Sequence, residues 1–243
     1  MTDPGIALSV VVPTYNEAQR IGRTLDELLA ALPRLSSSWE IRVVDDGSRD
    51  DTARIVTEAA ARHEGIVLQR EPHRGKGGAV RHGLLAARGA LRFMCDADLS
   101  MAASDIARFL AIVPTRAEIA IATREGAGAN RVGEPEHRHL LGRVFNNLVR
   151  ATVLNDLSDT QCGFKMFTAR AVESIFPFVT IDGWAFDIEV LVIARRRGLT
   201  IEEVPIEWHY RDRSQVSPLR DPLLMAKDVL KIRANALRGR YDR

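Results

Sequence analysis

Apolar residues come in short blocks along the first half of the chain, and the spacing inside them changes from block to block. Leu8 to Val12 is a continuous apolar run bounded by Pro13, and Glu40 to Val44, Ile66 to Gln69 and Ala90 to Cys95 repeat that signal. Runs this short and apolar predict strands buried on both faces. Between them the period becomes helical. Ile21, Leu25, Leu28, Leu29 and Leu32 share one stripe, opened by Asn16 and Glu17 and closed at Pro33. Further helices are expected over about Asp50 to Arg62 and Ala79 to Arg88.

In the second half, Ile106 to Val113 predicts a helix and Glu118 to Thr123 a strand, and Arg124 to Pro135 has the composition of a mobile loop. His139 to Val153 puts Leu140, Leu141, Val144, Phe145, Leu148 and Val149 on one helical stripe. Asp159 to Phe167 is a polar and aromatic turn-strand segment. Trp184 to Arg197 predicts a helix, Thr200 to His209 a strand, and Pro222 to Leu237 a closing amphipathic helix. Strands alternating with helices predict an α/β fold whose mostly parallel sheet is covered on both faces. No repeat, low-complexity tract or linker interrupts it, so residues 1–243 are expected to form one domain.

Sheets of this kind bind ligands beyond the carboxyl ends of their strands. Pro13-Thr14-Tyr15-Asn16-Glu17, Asp45-Asp46-Gly47-Ser48 and Asp96-Ala97-Asp98 all fall at such ends. Two acids after a strand either cap a helix in a solvated turn or hold a divalent cation against phosphate oxygens. Three polar clusters on one rim favour a site. Arg74-Gly75-Lys76-Gly77-Gly78 lacks the spacing of nucleotide triphosphatase or dinucleotide loops. Its glycines either make a tight turn or let backbone N–H groups approach an anion, with Lys76 beside them.

Composition narrows the classes. Two cysteines, Cys95 and Cys162, give no disulfide framework and fit a reducing cytosol. The start Met1-Thr2-Asp3-Pro4 has no basic, apolar leader, and no run reaches the roughly 20 apolar residues of a membrane span. The expectation is a cytoplasmic chain, soluble or peripheral on the membrane's cytoplasmic face. A net charge of +2 gives no reason to expect a nucleic-acid partner. Leu219 to Arg243, with seven Lys/Arg against three Asp, could meet an anionic membrane surface or simply be a solvated helix.

The rim clusters, with Val43-Val44 before the second, Ala79-Val80-Arg81 after Gly78 and Leu99 after Asp98, resemble glycosyltransferase family 2 with its GT-A fold. Asp159-Thr160-Gln161-Cys162-Gly163-Phe164-Lys165 and Trp184-Ala185-Phe186-Asp187-Ile188-Glu189 sharpen this. They resemble its dolichyl-phosphate β-glucosyltransferase branch and bacterial polyprenyl-phosphate relatives. The resemblance runs unbroken from about Leu8 to Arg233. It implies an inverting, Mg²⁺- or Mn²⁺-dependent hexosyltransferase moving glucose from UDP-glucose to a polyprenyl or dolichyl phosphate at a membrane surface. A GDP-mannose-dependent mannosyltransferase, a transferase to a small soluble acceptor and a non-catalytic nucleotide-sugar-binding protein are the alternatives.

Residue by residue, the resemblance implies that Pro13, Tyr15 and Glu17 line a nucleoside pocket and that Asp46 accepts from the base. Lys76 would contact phosphate or sugar. Asp96 would reach the ribose or the metal shell and Asp98 would ligate the metal, with Ser100 or a water nearby. Arg124, Arg138 and Arg143 would serve the diphosphate and the acceptor phosphate, guanidinium forks being suited to such oxygens. Asp159, then Asp187, would sit beside the acceptor. Residues 8–123 would bind the donor and 124–243 the acceptor. Ser100 stands where many mannosyl relatives have Gln. Arg213-Ser214-Gln215 lacks the lysine of a Gly-Ser-Lys found there in relatives, with Arg211 or Arg213 as its replacement. His137 and His139 read as loop residues. Trp184 and Phe186 read as packing, and the Val144 to Val153 stripe with the closing helix reads as a membrane-docking face.

Overall fold

The structure is a computed structural model and describes residues 5–135, 146–147, 149–211 and 220–242. Its strands are β1 (Leu8–Thr14), β2 (Trp39–Asp45), β3 (Ile66–Arg70), β4 (Leu91–Met94), β5 (Ile119–Thr123), β6 (Asn130–Val132), β7 (Lys165–Thr168), β8 (Ile201–Pro205) and β9 (Glu207–His209). The α-helices are α1 (Ile21–Leu35), α2 (Thr52–Ala60), α3 (Lys76–Ala86), α4 (Ile106–Leu110), α5 (Ala169–Ile175), α6 (Phe186–Arg196) and α7 (Arg220–Leu237).

Seven strands make one sheet in the order β3-β2-β1-β4-β7-β5-β8, and β6 pairs with β9 in a second, parallel ribbon. The large sheet is parallel except at β7, which runs antiparallel to both β4 and β5. Side chains alternate across it. Val11, Met94, Ile121 and Phe167 face a core closed by α3, α5, α6 and α7. Val10, Val12, Phe93, Ala120 and Met166 face a second core closed by α1, α2 and α4. Ile21, Leu25, Leu28 and Leu32 of α1 are buried there, each worth about 1.5–3 kcal/mol of burial.

Pro13 and Pro33 both lie inside elements, and hydrogen-bond accounting explains each. Pro13 lies inside β1. Val11, on the same side of the ladder, accepts from Cys95 N. The next bond of that ladder would run from residue 13 N to the Cys95 carbonyl, and proline has no N–H to give, so the pairing with β4 stops there. Pro33 was expected to close α1, yet the helix runs on to Leu35. The missing bond falls in the last turn, where Ser36 N still donates to Leu32 O at 2.9 Å, so buried Leu28 and Leu32 outweigh it.

Three further expectations change. The loop at 124–135 contains β6. The single strand expected over 200–209 breaks at Ile206 into β8 and β9, which join different sheets. Helix α5 was not expected. The stripe from Leu140 to Leu148 lies outside the described residues; Val149, at its end, is buried.

Candidate active site

The carboxyl ends of β1, β2, β4 and β5 point to one rim, and reversed β7 brings its first residue, Lys165, to the same rim opposite Met94 and Ile121. The loops after β1 and β2 clasp each other. Asn16 N donates to Ser48 Oγ at 2.9 Å, Arg49 N to Asn16 Oδ1 at 2.9 Å, and Glu17 N to Thr52 Oγ1 at 2.8 Å. Asn16 holds a left-handed backbone, φ 54°, which a short polar side chain tolerates best after glycine. Glu17 pairs with Arg20 at 3.5 Å, and the Tyr15 ring stacks on His73 at 4.1 Å. Pro13 is buried behind them.

Asp46 is buried and both its oxygens are engaged. Oδ1 accepts from Arg74 N at 2.8 Å; Oδ2 accepts from Gly75 N at 2.9 Å and lies 2.8 Å from His73 Nδ1. His73 Nδ1 also lies 3.0 Å from Asp46 O. Both neighbours are acceptors, so Nδ1 carries the proton. Asp46 therefore anchors the glycine-rich turn that leads into α3. That helix begins on Gly75, whose φ of 122° suits only glycine. No side chain caps it; Gly77 N donates instead to Asp182 O at 2.8 Å.

The turn delivers Lys76 to the acids after β4. Lys76 Nζ sits 2.6 Å from Asp96 Oδ1 and 5.6 Å from the Trp184 ring centroid. Burial alone would lower the ammonium, but Asp96, Asp187 and Asp98 more than offset this and hold it above its ordinary value. Asp96 fits because Gly163 has no side chain: a Cβ there would stand 2.0 Å from Asp96 Oδ2. Asp187, buried in the first turn of α6, pairs with Lys165 Nζ at 2.6 Å. Burial pushes the Asp187 carboxyl up, against the pull of Lys165 and Lys76. The result is a row of charges in which Asp96, Lys76, Asp187 and Lys165 alternate in sign and Asp98 stands as a second acid beside Asp96.

Arg124 and Asp159, read from sequence as separate groups for phosphate and acceptor, are brought onto each other. Arg124 donates from Nε to Asp159 Oδ2 at 2.6 Å, from Nη2 to Oδ1 at 3.0 Å, and from its backbone N to Oδ2 at 3.1 Å. Gln161 N adds a fourth bond at 3.2 Å. Burial acts to raise the Asp159 carboxyl, but Arg124 overrides it and holds it at about 2. Trp208 lies under the guanidinium at 5.4 Å. Asp159 is thus a firmly ionised acid with its lone pairs taken, a poor proton acceptor.

Asp98 is the unbalanced member. Burial, then repulsion from Asp96, pushes its carboxyl up, and Ser100 N donates to Oδ1 at 3.1 Å. Among the described residues no lysine or arginine pairs with Asp98, and Ser100 Oγ is buried without a hydrogen-bond partner. No cluster of three or more His, Cys, Asp and Glu is placed to hold a metal among these residues. Two acids and a hydroxyl still suit Mg²⁺ or Mn²⁺, since such ions keep waters and take substrate phosphate oxygens as ligands. The residues present fit the ion.

Arg138 and Arg143, His137 and His139, and Arg213 to Gln215 lie outside the described residues; Arg211 is exposed. Phe186 is buried, and Trp184 packs partly buried against the same core. Sequence reasoning gave no role to Lys165, although a lysine between Phe164 and Met166 is a signal that its charge must find a buried partner. His73 and Gly163 were also left without one.

The family described as "Glycosyl transferase family 2" matches residues 9–176. The dolichyl-phosphate beta-glucosyltransferase of Saccharomyces cerevisiae is 34% identical over 259 residues, covering 98% of this chain and 78% of that protein. The human protein of the same name is 33% identical over 253 residues, with the same coverage. Mycobacterium tuberculosis glucosyl-3-phosphoglycerate synthase superposes with a TM-score of 0.67 at 21% identity, over 97% of this chain and 80% of that one. Its complex with Mn²⁺ and UDP-glucose gives 0.66 at 20%, over 97% and 79%. That likeness establishes the GT-A fold, and the sequence matches carry the rest: the chain belongs to glycosyl transferase family 2.

Proposed function

We propose that this hexosyltransferase moves glucose from UDP-glucose to a polyprenyl or dolichyl phosphate, inverting the anomeric centre. The observation that carries this is the charge row at the rim, which ends in Asp98, an acid beside Asp96 with no ion-pair partner of its own among the described residues. Relatives at 33–34% identity bear the name dolichyl-phosphate beta-glucosyltransferase, and the fold is shared with a synthase crystallised with UDP-glucose and Mn²⁺.

In this reading an acceptor phosphate oxygen bonds to the sugar C1 as the bond from C1 to the donor diphosphate breaks, and UDP leaves with the electron pair. The acceptor's second pKa near 6 leaves it mostly dianionic at neutral pH, so it needs no strong base. Asp98 and Asp96, with Ser100 near, hold the divalent ion. When bound, that ion supplies charge to a leaving diphosphate. Lys76 meets the same diphosphate from the α3 side, because Arg124 is committed to Asp159. Asp187 and Lys165 keep Lys76 in register. Residues 8–123 serve the donor and 124–243 the acceptor.

The acceptor brings the protein to the cytoplasmic face of a membrane. No described helix is long and apolar enough to cross one. Helix α7 exposes Leu230 and Leu237, at 63% and 79%, among exposed Lys227, Lys231, Arg233 and Arg238, a pattern suited to an anionic interface. Co-sedimentation with phosphatidylserine vesicles tests this; no binding at low salt refutes it. Calorimetry with UDP-glucose and GDP-mannose, each with and without Mn²⁺, followed by turnover on a polyprenyl phosphate, tests the reaction. Metal-dependent UDP-glucose binding and product formation are expected. Preference for GDP-mannose overturns the donor, and binding without turnover overturns the transfer.

A further inference from the structure

Two residues along α6 from Asp187, Glu189 is fully buried, and among the described residues no cation pairs with it. Its Oε2 accepts from Thr180 N and Ile181 N, both at 2.8 Å, and its Oε1 from Thr180 Oγ1 at 2.8 Å and Tyr241 OH at 2.7 Å. Four donors converge on one carboxylate, enough to keep it in a dry interior. Tyr241 is 1% exposed, its phenol takes a bond from Asn235 Nδ2 at 3.2 Å, and burial, then Glu189, pushes its proton loss well above the usual range. The turn that carries it is tied to α6 by Arg196 on both oxygens of Asp242, at 2.6 and 2.8 Å, and by Arg197 Nε donating to Tyr241 O at 3.2 Å.

The segment that Glu189 holds is the one that caps α3. Helix α3 has no side-chain cap, and its first N–H groups need an acceptor. Gly77 N and Gly78 N find it in Asp182 O, at 2.8 and 3.4 Å. The fit is close: a Cβ on Gly77 would stand 2.6 Å from Ile181 O, and one on Gly75 2.6 Å from Asp182 O. Arg81 reinforces the contact, from Nη1 to Val179 O at 2.8 Å and from Nη2 to Asp182 Oδ1 at 3.3 Å. Displacing residues 180–182 therefore moves the start of α3, and Lys76 is its first residue.

We infer that Glu189 and Tyr241 are positioning residues for the donor side of the site, holding the 180–182 segment that caps α3 and so fixing Lys76 against Asp96. Neither touches the reacting groups. The turn after α7 thereby becomes part of the catalytic scaffold. The catalytic consequence rests on the proposed donor role of Lys76; the mechanical link does not.

The test is amide hydrogen exchange of Gly77 and Gly78 in Tyr241→Phe and Glu189→Gln, beside Ile106→Val, which trims the core on the opposite face of the sheet. Exchange at the two glycines is expected to quicken about tenfold or more in both latch variants while α1 amides hold steady. Ile106→Val should leave the glycines unchanged at equal loss of Tm. On the enzyme, the KM for UDP-glucose should rise about fivefold with kcat within about twofold, the mark of lost binding rather than lost chemistry. If Tyr241→Phe does not fold, Thr180→Val removes a neighbouring bond to the same carboxylate and is read the same way. Glycine exchange that merely tracks Ile106→Val overturns the inference. Faster glycine exchange in a protein that does not use UDP-glucose upholds the latch and refutes the proposed function instead.

Discussion

Replacing Gly163 with alanine should disable the site without replacing any charged residue. The added Cβ would lie 2.0 Å from Asp96 Oδ2, and the carboxylate must retreat to the 3.4 Å of an ordinary contact. A retreat of that size opens the 2.6 Å pair with Lys76 to about 4 Å. With an effective dielectric of about 20, the Coulomb attraction then weakens by about 2 kcal/mol, or about 30-fold in an equilibrium constant. Screening makes this an upper figure. The assay is calorimetric binding of UDP with Mn²⁺, repeated in an Asp96→Ala background. Gly163→Ala alone should weaken binding by about tenfold or more, and in the Asp96→Ala background it should add nothing. Binding within twofold of the parent, or an equal loss in both backgrounds, would refute the argument that Gly163 serves Asp96.

Asp98→Asn should abolish Mn²⁺-dependent transfer yet keep or raise Tm, because it relieves repulsion with Asp96; near-normal turnover would sink the metal assignment. Arg124→Gln strands the Asp159 carboxylate and should cost about 3 kcal/mol at pH 7. The folded Asp159 pKa of about 2 lies below the ordinary 3.8, so the pair's stabilisation is complete above about pH 4 and fades as pH falls towards 2. Urea melts across that window should show the two proteins converging, and a constant gap would contradict the pairing. The Cys162 thiol, pushed up to about 12 by burial, should ignore Ellman's reagent at pH 8 until urea is added; prompt native reaction would place it elsewhere.

The rim was legible because its parts are local. A strand, a stop and a polar cluster recur within a few residues at 13–17, 45–48 and 96–98, and each needs only its own segment to be read. What escaped is pairwise. Arg124 and Asp159 are 35 residues apart, and Lys76 meets Asp96 across two elements, so charge type alone made each look available to a ligand. The direction of β7 was equally hidden, since an apolar run reads the same both ways. Pro33 misled because the rule that proline ends a helix weighs one hydrogen bond and not the buried leucines beside it. Glu189 and Tyr241 are 52 residues apart, and nothing in either neighbourhood announces the other.

Strand β7 has a consequence for how the chain can be divided. Residues 165–168 lie between β4 and β5, bonded to both, although both of those strands precede them in sequence. A fragment ending near residue 128 would hold five of the large sheet's strands with a gap through the middle, exposing two inner edges. Such unpaired edges invite association. Residues 8–123 should therefore behave as an aggregating fragment when made alone, and a nick in the 124–135 loop should leave the two pieces bound to each other.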